Sequence, residues 1–131
     1  MLTILRYDDA NEMLINEFEE TRKVFNANEA LFGVGFNSGT QHCFYEEALV
    51  PYVVKLLNEN RNDDLKKVLV FVEKMFTDGD EDVVDMAETS VVEPIYYELD
   101  YEKHRDLILS LCGTKTRKSF EDMDEDEPEG V

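Results

Sequence analysis

A helical spacing of apolar residues is the feature that most constrains the fold, and it is clearest between residues 63 and 76. Apolar side chains recur there every three or four positions, which produces a broad stripe along one side of an α-helix. The stripe consists of Leu65, Val68, Leu69, Val72, Met75 and Phe76. Its width indicates a helix buried between neighbours. Similar spacing predicts further helices over residues 9–25, 44–58, 81–97 and 101–112.

The links between these helices are short and polar, which is typical of helices that fold back on one another. Residues 78–80 form one such link, with Gly79 in the turn and Asp80 as the N-cap of the next helix. Glycine and asparagine interrupt the pattern over residues 26–44, which we predict to be an irregular loop. We therefore predict an all-α fold of about five helices in antiparallel helical hairpins, arranged as a bundle or a short HEAT-like stack.

The length of 131 residues is that of a single domain. Residues 119–131 contain seven acids and no base, and such a segment is too polar to bury. We predict that residues 1–118 form one helical domain and that residues 119–131 form a disordered acidic tail.

The net charge of −18 excludes several classes of partner. A chain this acidic repels phosphate backbones and anionic lipid headgroups, so we expect neither nucleic-acid nor membrane binding. We also expect no secretory signal, since the N-terminus has no basic region followed by a long apolar stretch, and no membrane span, since no run of 18 apolar residues occurs. Two cysteines do not form a disulfide framework, which favours the reducing cytoplasm.

The acids are concentrated in one segment of the predicted domain, because residues 75–102 hold ten acids and no base. On a helical wheel, Val83, Val84, Ala87, Val91 and Ile95 share a core face, and carboxylates lie opposite with an apolar and an aromatic residue between them. Such a mixture suits an interface with a basic protein, since carboxylates steer the partner and an aromatic side chain anchors it. The predicted partner-binding residues are Asp78, Asp80, Asp82, Asp85, Glu88, Thr89, Val92, Glu93, Tyr96 and Glu98. A solvated helix face is the alternative interpretation.

No pattern in the sequence predicts catalysis, a metal or another cofactor. The carboxylates at 78, 80 and 82 resemble the start of a calcium loop, but Val83 and Thr89 occupy the positions that need glycine and glutamate. His42, Cys43, His104 and Cys112 show no metal-ligand spacing. We therefore expect a protein that is not an enzyme. A small enzyme or metal protein centred on His42 and the carboxylates remains an alternative.

The segment from 65 to 94 resembles a known group of proteins. It reads Leu65 to Phe76, then Asp78-Gly79-Asp80, then Val83-Val84-Asp85-Met86-Ala87, then Ser90-Val91-Val92-Glu93-Pro94. This order of hydrophobic helix, Gly-Asp turn and acidic helix resembles small helical immunity-type proteins of bacterial polymorphic and contact-dependent toxin systems. The resemblance implies a cytoplasmic, non-catalytic protein that binds and neutralises one toxin domain.

Charge and resemblance together give a first hypothesis, an immunity protein that binds a basic toxin domain, such as a nuclease, through the acidic helix face. The second hypothesis is a helical adaptor or regulatory module with a non-toxin partner, including a nucleic-acid mimic. The sequence leaves the oligomeric state open.

Overall fold

A computed structural model of the chain describes residues 5–23, 41–98 and 101–126. These ranges are all-α, as the sequence predicts. A 3₁₀ turn, Tyr7–Asp9, leads into α1, Ala10–Glu17. Helix α2 joins Gln41–Phe44, Tyr45–Leu49 and Val50–Asn58, and α3 is Asn62–Asp78. Helix α4 joins Glu81–Met86, Ala87–Val92 and Glu93–Glu98. Helices α5 and α6 are Tyr101–Leu111 and Thr114–Asp126.

The helix with the clearest apolar stripe lies at the centre of the packing. Helix α3 contacts α2, α4, α5 and α6. Its residues Leu65, Val68, Leu69, Val72 and Met75 are at most 1% exposed. The prediction of a helix buried between neighbours is therefore confirmed.

Some predicted boundaries are wrong at the N-terminal side. The helix predicted over 9–25 is interrupted after Glu17, because Phe18 leaves helical geometry with φ −130° and ψ 85° and buries its ring. Helical geometry returns over residues 20–23, and residues 24 and 25 lie outside the described part. Residues 41–44, predicted to belong to an irregular loop, are the first turn of α2. The rest of that predicted loop, 26–40, lies outside the described residues.

Helices α2 and α4 each contain a wide π-helical turn, at Tyr45–Leu49 and Ala87–Val92 respectively. In both cases a proline is the second residue after the turn, Pro51 in α2 and Pro94 in α4. Proline has no N–H and its ring crowds the carbonyl group four residues earlier. A π-turn bonds five residues apart rather than four, so it relieves that crowding and the helix continues.

The last described helix overturns part of the predicted tail. Residues 119–126 belong to α6, and Phe120 is 1% exposed with its ring stacked on Tyr101 at 5.1 Å. The carboxylate of Asp124 accepts a hydrogen bond from the Tyr96 hydroxyl at 2.9 Å and pairs with Arg105 at 2.6 Å. The prediction of disorder is therefore wrong for 119–126, while residues 127–131 lie outside the described part.

The carboxylate of Glu73 fixes the N-terminus of α6. Its Oε1 accepts hydrogen bonds from the Thr116 N–H at 2.8 Å and the Thr116 hydroxyl at 2.9 Å, and its Oε2 accepts the Lys115 N–H at 3.2 Å. The two N–H groups are among the backbone donors that the first turn of an isolated helix leaves without partners. Gly113 leaves room for this contact, because a Cβ there would lie 2.5 Å from Glu73 Cγ.

The N-terminal segment is tied to the turn between α3 and α4. The Leu5 N–H donates to the Asp78 carbonyl at 2.8 Å, and the Asp80 N–H donates to the Leu5 carbonyl at 2.9 Å. The buried Tyr45 hydroxyl donates to the Ala10 carbonyl at 2.6 Å, and burial raises the pKa of this phenol. Together these bonds hold α1 against α2 and α3.

An ion-pair cluster ties the segment after α1 to the turn between α2 and α3. Arg61 pairs with Glu20 at 2.7 Å and with Asp64 at 2.8 Å, and Lys55 pairs with Glu20 at 3.1 Å. Hydrogen bonds from Arg61 and then from Lys55 lower the pKa of Glu20 from 4.5 to about 2. Asn60, with φ 55°, turns the chain between the two helices.

We expect Glu73→Ala to lower the free energy of unfolding by about 2 kcal/mol, since two backbone N–H groups and a hydroxyl lose their acceptor. The matched control is Lys74→Ala, which removes an exposed side chain from the next position of α3. Urea unfolding followed by circular dichroism measures both. Equal destabilisation of the two variants would contradict the role given to Glu73.

The pKa of Glu20 predicts a pH dependence of stability. Because the pKa is lower in the folded protein, this carboxylate stabilises the fold above pH 4.5, and the contribution disappears as the pH falls towards about 2. Glu20→Gln should therefore flatten the fall in melting temperature within this window. Glu12→Gln, an exposed carboxyl on α1, is the control. Parallel curves for Glu20→Gln and the unmodified protein would contradict the assignment.

Candidate protein-binding surface

Five carboxylates lie on the solvent side of α4, which we call the acidic face. Its residues are Glu81, Asp82, Asp85, Glu88 and Glu93, and all five are exposed. Within the described ranges, none of them forms an ion pair. Their charges therefore add to one negative field in front of the helix.

The first two predicted residues, Asp78 and Asp80, have structural contacts instead. Asp80 Oδ1 accepts the Val83 N–H at 2.9 Å, which caps α4 as the sequence predicts. Its Oδ2 accepts the Tyr7 N–H at 2.9 Å, so both oxygens are engaged within the protein. Asp78 is half-buried, and its carbonyl oxygen bonds to Leu5. The Asp80 carboxylate and the Asp78 backbone hold the α3–α4 turn, and the Asp80 carboxylate does not belong to the acidic face.

The prediction that Val92 and Tyr96 lie exposed among the carboxylates is wrong. Val92 is 1% exposed, and Tyr96 is half-buried with its hydroxyl bonded to Asp124 of α6. The helical wheel assumes the same rotation per residue along the whole helix. The π-turn at Ala87–Val92 contains more residues per turn, so Val92 at its end and Tyr96 beyond it are rotated relative to the wheel.

Two further predicted residues, Thr89 and Glu98, have different outcomes. Thr89 is exposed as predicted, and its hydroxyl donates to the Asp85 carbonyl at 2.9 Å. The side chain of Glu98 lies outside the described part. The exposed aromatic side chain of α4 is Tyr97, at 60% exposure, whose ring lies 5.1 Å from that of Tyr96. The helical wheel does not identify Tyr97 as exposed. Pro94, which follows the π-turn closely, was the sequence signal that the helix rotates at this point.

A groove runs along one side of the acidic face, between α4 and α6, with a volume of about 510 Å³. We call it the α4–α6 groove. It is lined by Phe76, Val84, Glu88, Thr89, Glu93, Lys115, Lys118, Ser119, Asp122 and Met123. The folded chain thus places two lysines beside a segment that contains no base of its own, which the linear sequence does not reveal.

His42 forms a contact that the sequence did not predict. Its Nδ1 lies 2.7 Å from the Oγ of Ser90 and 3.4 Å from the Oγ1 of Thr89, so it links α2 to the π-turn of α4. Ser90 is 2% exposed. A nucleophilic triad also needs an acid that orients the histidine, and no carboxylate in the described ranges bonds to His42. We therefore interpret the His42–Ser90 hydrogen bond as a contact between helices.

A second depression, of about 460 Å³, lies beside Tyr52. Its charged lining includes Glu20, Lys55 and Arg61, which already pair with one another. These mutual pairs leave less charge for a ligand than the unpaired carboxylates of α4 offer. The acidic face and the groove next to it are therefore the better candidate surface.

The described residues contain no group of three or more His, Cys, Asp or Glu side chains arranged to hold a metal ion. Among those same residues, no helix is long and apolar enough to cross a membrane. Cys112 is half-buried at the end of α5, and burial raises the pKa of its thiol.

Comparison with known proteins identifies one family. Residues 11–126 match the family model described as Domain of unknown function (DUF7674). The match includes α6 as far as its last residue, Asp126, and so agrees with a domain that continues past residue 118. No curated protein matches the chain, and no solved structure matches it either.

We expect Asp80→Ala to lower the free energy of unfolding by about 1–2 kcal/mol, since it removes an N-cap from α4. Asp85→Ala, which removes an exposed carboxylate from the same helix, should change it by less than about 0.5 kcal/mol. Urea unfolding of both variants tests the division between structural and surface carboxylates. The division fails if Asp85→Ala is the more destabilising of the two.

Proposed function

The chain belongs to the family described as Domain of unknown function (DUF7674), and from its own surface we propose that it is a non-catalytic protein that binds a basic protein partner. The observation that carries the proposal is the acidic face, five exposed carboxylates on one helix with no ion pair among the described residues. A face of this kind favours a partner rich in lysine and arginine.

Electrostatics explains how such a face works. Like charges held on one helix repel one another, so they cost stability in the free protein. A basic partner relieves this repulsion, and the negative field accelerates its association. Close charge pairs across such interfaces have coupling energies of about 1.5–7 kcal/mol. A few pairs at the acidic face therefore make a measurable contribution to binding, after the cost of desolvating the charges is subtracted.

The finer proposal is that the partner is a toxin domain, such as a nuclease, and that the protein acts as its immunity protein in the bacterial cytoplasm. Its support is the resemblance of residues 65–94 to immunity-type proteins of polymorphic and contact-dependent toxin systems. An enzyme that cleaves nucleic acid carries lysine and arginine for phosphate contacts. A surface of ordered carboxylates can occupy the same groove of the enzyme and block it.

The partner is sought in the product of the neighbouring reading frame. Expression of that product alone should arrest growth, and co-expression of this protein should restore it. If the product is harmless to the cell, the toxin assignment is wrong. If it binds this protein with micromolar or better affinity all the same, the broader proposal of a basic partner stands and an adaptor is the function that fits.

We expect the double variant Asp82→Lys/Asp85→Lys to bind the partner about 100-fold more weakly, since each reversal removes at least one favourable charge pair. Glu46→Lys/Glu47→Lys is the matched control, because it changes the net charge by the same amount at two exposed positions of α2. Isothermal titration calorimetry gives both affinities, and circular dichroism confirms folding. Equal losses in the two variants would mean that net charge, rather than the acidic face, controls binding.

A further inference from the structure

The α4–α6 groove has a different character from the open face beside it. Its floor is formed by Phe76, Val84 and Met123, three apolar side chains that are each half-buried. Half-buried apolar side chains side by side gain free energy when a further apolar group covers them. The groove therefore offers an apolar contact that the carboxylates alone do not provide.

The two walls of the groove carry opposite charges. Glu88 and Glu93 stand on the α4 side, while Lys115, Lys118 and the single acid Asp122 stand on the α6 side, which is therefore positive by one charge. Lys118 Nζ lies 3.3 Å from a carboxylate oxygen of Asp122 on the same helix, and both side chains are more than half exposed. An exposed pair of this kind is worth little, so Lys118 is able to exchange Asp122 for a partner's carboxylate.

The length of the groove limits what it can hold. On α6 the lining extends from Lys115 to Met123, which corresponds to about 12 Å along a helix at about 1.5 Å per residue. That length matches about two helical turns. Two apolar side chains spaced three or four residues apart would cover such a floor, as in other helix-in-groove complexes.

We propose that the α4–α6 groove binds an amphipathic helix of the partner, with two apolar anchors on the floor, a basic row facing α4 and an acidic row facing α6. The argument is charge complementarity on both walls combined with an apolar floor. The inference rests on the proposed function, because it specifies which element of the basic partner enters beside the acidic face.

The opposite walls also determine the orientation of the bound helix. Reversing a helix end to end exchanges its left and right flanks, so only one direction of the partner helix satisfies both walls. The reversed direction places lysine against Lys115 and glutamate against Glu88, which is repulsive on both sides. Specificity then comes from repulsion in the wrong orientation as well as attraction in the right one.

The experiment uses two synthetic helical peptides of equal length with the same leucine stripe. The bipolar peptide has lysine on one flank of the stripe and glutamate on the other, and the basic peptide has lysine on both flanks. At physiological salt, where charges act over about 8 Å, we expect the bipolar peptide to bind more tightly. Its binding should shift the methyl NMR signals of Val84 and Met123.

Charge reversal at the α6 wall separates this inference from general electrostatic attraction. Lys115→Glu/Lys118→Glu should weaken binding of the bipolar peptide by about fivefold, since two exposed charge pairs become repulsive. Because the bipolar peptide has no net charge, the change in the net charge of the protein alone should alter its affinity little. The same variant should bind the basic peptide more tightly. An unchanged affinity for the bipolar peptide would overturn the inference.

Blocking the floor provides a second, independent test. Val84→Glu should weaken binding of the bipolar peptide by about tenfold or more, because a carboxylate replaces an apolar contact. Val70→Glu is the control, since Val70 is 55% exposed on α3 and does not line the groove. If Val84→Glu does not fold, Met123→Glu places the same charge on the floor from α6. Equal affinities of the floor variant and the control would overturn the inference.

The outcome for the groove is distinct from the outcome for the proposed function. Asp82 and Asp85 belong to the acidic face but do not line the groove. If reversal of these two weakens partner binding while the floor variants do not, the acidic face binds the partner and the groove inference is wrong. If neither set affects partner binding, both proposals are wrong. Failure of the bipolar peptide to bind at millimolar concentration also overturns the groove inference.

Discussion

The N-terminus of α6 is held by one carboxylate, that of Glu73 on the central helix. Its two oxygens accept three hydrogen bonds from the first turn of α6, and Gly113 provides the space for this approach. The contact matters for the candidate surface because α6 forms one wall of the groove and holds Tyr96 through Asp124. The arrangement of charges at the surface is therefore set from the interior of the domain.

Most of the fold could be predicted from the sequence, because apolar periodicity directly reports which side of each helix is buried. The stripe of α3 and the cap at Asp80 are both confirmed. The π-turns could not be predicted in the same way, since a wheel with a fixed rotation per residue does not represent them. The resulting error rotated Val92 and Tyr96 to the wrong side of α4. A proline inside a long apolar pattern was the available sign of such a turn.

The candidate surface was only partly predictable from the sequence, because charged residues that are far apart in the sequence lie side by side in the folded chain. The prediction that the acids of α4 lie in solvent is correct, but the lysines across the groove come from α6, a different and later part of the sequence. Residues 119–126 were assigned to a tail on composition alone. These residues are instead held in α6 by the buried side chain of Phe120 and by the bonds of Asp124 to side chains of other helices. Amino-acid composition does not report contacts of either kind.

The order of charged residues along α6 affects the stability of this helix, which forms one wall of the groove. Its bases, Lys115, Arg117 and Lys118, stand near the N-terminus, and its acids follow towards the C-terminus. That order opposes the helix macrodipole, so the segment is a poor helix by itself. In the folded chain it is held by contacts with Glu73, Tyr101 and Arg105 of the other helices. The groove therefore depends on α3 and α5 for its α6 wall, and a variant that loses these contacts is expected to lose the groove.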